Sequence, residues 1–139
     1  MRYIIVLALS AACMTSCITE IHVNPTGVHV WVATEPIQCL NNPWERDWLE
    51  SNDWDYSRYP KDPSTPGLEP EEFEIIQNYY DRQGVEVSEA ETNPRFDAVC
   101  LTCSCPEGHT LYLFVRAEDV EQMIEFGYRK EAPKQGSDI

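Results

Sequence analysis

Residues 70–88 read PEEFEIIQNYYDRQGVEVS, and residues 110–127 read TLYLFVRAEDVEQMIEFG. The first stretch opens on Pro70, Glu71 and Glu72. Proline's fixed φ suits a first helical turn, and the two carboxylates face the positive end of the helix dipole. Phe73, Ile76 and Tyr80 recur at helical spacing, with Ile75 and Tyr79 widening the apolar stripe. Gly84 is the natural stop. Val85-Glu86-Val87-Ser88 then alternates with the period of a strand. In the second stretch Thr110–Arg116 is a strand apolar enough to lie centrally. Glu118–Phe126 follows as a helix, with Val120, Met123 and Ile124 inward and Gly127 as its stop. A helix, two strands and another helix favour an α+β fold over a doubly wound sheet.

Working outward, Val28-His29-Val30-Trp31-Val32 predicts a first strand running on toward Ile37, with His29 on the solvent face. Pro36 marks an edge or a bulge. Asn42-Pro43-Trp44-Glu45 predicts a short helix: Asn42 caps, Pro43 takes the first position, and Glu45 stands where a capping box needs it. Trp44, Trp48 and Leu49 then share a face. Residues 51–67 predict a long surface loop, residues 91–109 a loop holding three Cys, and Tyr128-Arg129-Lys130 a last short strand. The expectation is one α+β domain over 28–130, a small antiparallel sheet with two main helices on one face and a Cys-stapled loop. Its specific form is expected to be the ferredoxin-like split βαβ, with the Trp-bearing helix as an addition. The tail 131–139 is polar.

The 139 residues carry 10 Lys and Arg against 24 Asp and Glu, for a formal net charge of −14. Such a length supports one modest core. Such a charge excludes a nucleic-acid phosphate-backbone binder, which needs a basic patch to release counterions.

The N-terminus reads as an export signal. Met1 and Arg2 form a basic start, and Tyr3–Ala12 is an apolar run too short to span a bilayer. Met14-Thr15-Ser16-Cys17 resembles the lipobox of bacterial lipoproteins, with Met where Leu is usual. Cys13, after Ser10-Ala11-Ala12, is the competing site. The resemblance implies a signal peptide over 1–16, lipid on Cys17 and a tether over 17–27. Two or three acyl chains make a stable anchor, each buried CH₂ adding about 0.8 kcal/mol. Ile18 follows the Cys in place of the Asp that retains many lipoproteins in the inner membrane, which implies the outer membrane if the cell has one.

Four Cys remain: Cys39, Cys100, Cys103 and Cys105. An even number in an exported chain predicts two disulfides. A Cys103–Cys105 bridge would close a strained, very small ring. Two pairings stay open: Cys39–Cys103 with Cys100–Cys105, or Cys39–Cys105 with Cys100–Cys103. The same thiols offer a second reading, a zinc or copper site with His109 as an extra ligand, although their spacing is not that of paired zinc knuckles. A third is thiol redox chemistry at Cys100-x2-Cys103, which lacks the helix N-terminus that lowers a thiol pKa. Cys105 with His109 as a nucleophile pair would require a free thiol.

Trp54, Tyr56 and Tyr59 in the acidic loop are candidates for sugar stacking or for anchoring a protein partner. Asp53 and Asp55 lack the spaced run of an EF-hand. No phosphate-binding Gly loop, G-x-S-x-G or H-E-x-x-H is present, and no catalytic residue stands out. Pro36-Ile37-Gln38-Cys39, Asn42-Pro43-Trp44-Glu45 and Cys100-x2-Cys103-x-Cys105-Pro106-x-Gly108 resemble strings of small exported bacterial proteins. That resemblance covers most of residues 36–127 and implies an organisation rather than an activity. The sequence therefore reads as a lipid-anchored envelope protein with no resident cofactor and a non-catalytic binding or accessory role. The alternative is a Cys-based metal-binding or redox protein.

Overall fold

The computed structural model describes residues 27–61, 67–95 and 100–134. The export segment, Cys13 and Cys17 lie outside them. Strand β1 (His29–Thr34) is followed by helix α1 (Pro43–Ser51), a 3-10 turn at Tyr56–Arg58 and helix α2 (Pro70–Asp81). Strands β2 (Val87–Pro94) and β3 (His109–Arg116), a 3-10 turn at Ala117–Asp119, helix α3 (Val120–Glu125) and strand β4 (Arg129–Lys130) complete the order.

The sheet order is β2-β3-β1-β4, and every neighbouring pair is antiparallel. β3 separates β1 from β2, and β1 separates β3 from β4, so each βαβ unit is split by a strand of the other. This is the expected ferredoxin-like arrangement, with α1 inserted between β1 and α2. Among the described residues no helix is long and apolar enough to cross a membrane.

Strand parity decides which residues meet the helices. Val32, Leu111, Leu113 and Val115 point to one face, where Ile76 and Tyr80 of α2 and Val120 and Met123 of α3 join them in a single buried cluster. Trp44 of α1 enters the same cluster. The Tyr80 and Tyr128 hydroxyls are hydrogen-bonded at 2.8 Å, which satisfies both inside it. Gly84 (φ +83°) and Gly127 (φ +94°) end α2 and α3 in the left-handed region that glycine enters without a Cβ clash.

Several boundaries differ from the sequence reading. β1 stops at Thr34, because Pro36 has no N–H for a ladder; only an isolated bridge, Ile37 to Pro106, continues the line. β2 starts later and runs to Pro94, held by β3 through a bulge between Val87 and Glu89, so part of the expected Cys loop is strand. Ile124 is 44% exposed rather than inward. α3 is under two turns long after its 3-10 start, and Val120 and Met123 already fill its narrow inward stripe.

Candidate functional site

The three strings singled out in the sequence meet at one place. The Glu107 N–H donates to Pro36 O (2.8 Å) and the Gln38 N–H to Cys105 O (2.9 Å). Gln38 Nε2 donates to Cys100 O (2.8 Å) and Pro106 O (3.1 Å). Asn42 clamps Ile37, accepting its N–H at Oδ1 (2.9 Å) and donating from Nδ2 to its carbonyl (3.0 Å). The expected capping contact forms, with the Asn42 N–H donating to Glu45 Oε2 at 2.8 Å.

The sulfurs pair as Cys39–Cys103 and Cys100–Cys105, one of the two arrangements the sequence left open. Cys39 and Leu40 sit at φ +64° and +50°, which L residues adopt only when their surroundings impose it. The staple and the Gln38 hydrogen bonds impose it here. Paired sulfurs are not thiolates, so the zinc, copper, redox and Cys105–His109 readings would each require reduction first. Among the described residues no group of three or more His, Cys, Asp or Glu side chains is arranged to hold a metal ion. His109 instead lies 3.8 Å from Glu107, and burial followed by Lys61 pulls its pKa below the ordinary imidazole value.

Beneath the staple lies a buried charge cluster. Lys61 Nζ is 2.9 Å from Glu45 Oε1, 2.5 Å from Glu107 Oε1 and 3.7 Å from Glu72 Oε1. Glu45 is fully buried and Glu72 nearly so. The Tyr59 hydroxyl donates to Glu72 Oε1 at 3.2 Å. Burial works against the Lys61 ammonium, but Glu45, Glu107 and Glu72 outweigh it and hold its pKa above the ordinary value. One ammonium does not neutralise three carboxylates. Burial, assisted by Glu45 and Glu107 and opposed by Lys61 and Tyr59, pushes Glu72 up to about 7. The cavity bounded by Trp44, Lys61, Glu72, Glu107 and His109 has a volume of about 10 Å³, room for one water and no substrate. Trp44 Nε1 and Glu107 Oε2 are buried without a hydrogen-bond partner among the described residues. The cluster is thus a charge lock joining the loop at Lys61, α1, α2 and the Cys loop.

A raised carboxyl pKa stabilises the fold fully below its unfolded value and loses that contribution as pH rises through the folded value. For Glu72 the window runs from 4.5 to about 7 and corresponds to about 3 kcal/mol. Glu72→Gln should therefore flatten the decline in stability between pH 4.5 and 8, as read from urea midpoints at each pH. An unchanged decline would place the proton elsewhere.

The candidate binding loop divides. Trp54 (46% exposed) and Tyr56 (56% exposed) face outward with ring centroids 6.5 Å apart. Tyr59 turns inward, 6% exposed, edge-on to Trp48 and hydrogen-bonded to Glu72. The physical reason is the charge lock, which offers the phenol an acceptor within reach of an apolar wall.

The sheet face opposite the helices carries a second feature. Phe114 lies between His29, stacked on it at 5.1 Å, and Trp31, tilted against it at 4.7 Å, which puts His29 on the outer face as expected. At the other end of that face is a cleft of about 640 Å³ lined by Glu35, Arg95, Tyr112, Arg129, Glu131 and Lys134, among others. Glu35 bridges Arg95 and Arg129, Arg129 Nε also donates to Glu131 Oε2, and the Tyr112 hydroxyl donates to Glu131 Oε1 at 3.3 Å.

The sequence reading did not pick out Lys61, Glu72, Glu107 or Arg129. Carboxylates are too common along this chain for any set to stand out. Strand parity was the one signal available, since it sets His29, Trp31 and Glu35 on the face that the apolar stripe does not use. No family model matches the chain, and neither a curated protein nor a solved structure similar to it was found.

Proposed function

We propose that the chain is an exported, lipid-anchored binding module of the cell envelope, with Cys17 as the lipidated residue and no catalytic centre of its own. The observation that carries this reading is the closure of Cys39, Cys100, Cys103 and Cys105 as two disulfides, which persist in oxidising compartments. It agrees with the lipobox-like Met14-Thr15-Ser16-Cys17. The buried charge lock supports a binding role over a catalytic one, because its titrating carboxyl is sealed behind a cavity of one-water size. The exposed pair Trp54 and Tyr56 and the open sheet face are the surfaces left for a protein or glycan partner.

Cys17→Ser is expected to move the protein from the membrane fraction to the soluble fraction of the envelope and to abolish incorporation of labelled palmitate. Cys13→Ser is expected to change neither. Palmitate retained in Cys17→Ser and lost in Cys13→Ser would move the anchor to Cys13. Labelling in neither parent nor variants would leave an ordinary cleaved signal.

A further inference from the structure

The cavity inside the charge lock brings together two polar atoms that no other contact satisfies. Trp44 Nε1 and Glu107 Oε2 are buried without a hydrogen-bond partner among the described residues, and both side chains line this cavity. Trp44 is 3% exposed and the Glu107 side chain 12%. Buried polar groups are paired almost without exception, because an unpaired one keeps the full penalty of leaving water.

The two orphans differ in kind. An indole N–H only donates, and an ionised carboxylate oxygen only accepts. Lys61 already takes the other Glu107 oxygen, at 2.5 Å. A third polar atom borders them: His109 Nε2 stands 3.8 Å from Glu107 Oε2, beyond direct hydrogen-bond reach and close enough for one molecule to touch both. Pro36, Ile76 and Leu111 supply apolar wall. The volume is about 10 Å³, at the lower end of the roughly 10–15 Å³ that one water requires.

We infer that this cavity is a binding site for one internal water molecule, which accepts from Trp44 Nε1, donates to Glu107 Oε2 and turns its remaining hydrogen or lone pair to His109 Nε2. Three hydrogen bonds are the usual number for a buried water. The orphans themselves select the ligand. A metal or ammonium cation would suit Glu107 but face the indole hydrogen, and a halide would suit the indole but face the carboxylate. Only a molecule that both donates and accepts satisfies the pair. Among the described residues no group of three or more side chains is arranged to hold a metal ion, which agrees. Trp44 belongs to α1, Glu107 to the Cys loop and His109 to β3, so the water joins three elements beside the joint that Lys61 makes.

The test is a pair of NMR water-to-protein transfer experiments, NOE and ROE, on the isotope-labelled full mature chain in detergent. The Trp44 indole N–H is identified by its loss in Trp44→Phe, or by elimination through Trp31→Phe, Trp48→Phe and Trp54→Phe. It should show a water cross-peak whose NOE and ROE have opposite signs, the mark of a held water. Tyr59→Phe should keep that cross-peak, which separates it from relay through a phenol hydroxyl. The midpoint of thermal unfolding should be the same in sodium, potassium and tetramethylammonium chloride at one ionic strength. An absent cross-peak, NOE and ROE of one sign, or loss of the cross-peak in folded Tyr59→Phe would overturn the proposal. So would a midpoint raised by sodium or potassium alone, which would put a cation in the cavity.

Discussion

Removing the Cys39–Cys103 bridge, as Cys39→Ser with Cys103→Ser, is expected to lower the free energy of unfolding by about 4 kcal/mol. That bridge spans 64 residues of sequence, and in the chain-entropy model a loop of such length carries a stabilisation of about this size. Removing Cys100–Cys105, which spans 5, is expected to cost about 2 kcal/mol by the same reasoning. Urea unfolding without reductant checks both. The contrast is the informative part. Equal losses from the two double variants would contradict the dependence on loop length.

Lys61→Met is expected to cost about 3–5 kcal/mol at pH 8, because it leaves Glu45, Glu72 and Glu107 buried together without a cation. The sign of its pH dependence follows from Glu72. Below a pH of about 7 that carboxyl is neutral, so less uncompensated charge remains and the loss should shrink at pH 5. Unfolding of the parent and the variant at the two pH values checks this. A loss below about 1 kcal/mol at pH 8, in the range of an exposed ion pair, would contradict the charge lock. A loss of equal size at both pH values would contradict the assignment of the proton to Glu72.

The elements with strong local signals were legible. Pro70 through Gly84 gave a helix because its start, stripe and stop agree, and Thr110–Arg116 gave a central strand because its apolar run is unbroken. Together with the order of the elements, they were sufficient for the split βαβ plan. Tertiary choices were not legible. The late start of β2 depends on its ladder with β3, and the exposure of Ile124 depends on how short α3 is. The sulfur pairing depends on where the turn at Cys39 meets Thr102–Cys105, and spacing alone left two arrangements open. The inward turn of Tyr59 depends on Glu72, 13 residues away, and no local pattern encodes that partner. Asn42-Pro43-Trp44-Glu45 read correctly as a helix start. Its further role was hidden, because Glu45 both caps α1 and holds Lys61.

The open sheet face was the hardest part to read. Its members come from four strands and the segment after β4, and each is ordinary in its own stretch. Only the register, which sets Trp31 opposite Phe114 and Arg129 opposite Ala33, makes them one surface. Sequence exclusion by net charge also works at the level of the whole chain. It is silent on a local cluster of three cations.

The most direct measurement is intact mass spectrometry of protein taken from the membrane fraction, before and after denaturation with a thiol-alkylating reagent. A lipid-anchored domain closed by two disulfides predicts acyl chains on Cys17, a mass lower by four hydrogens than the reduced chain, and no alkylation. Four alkylated thiols at Cys39, Cys100, Cys103 and Cys105, on a chain without acyl groups, would contradict it.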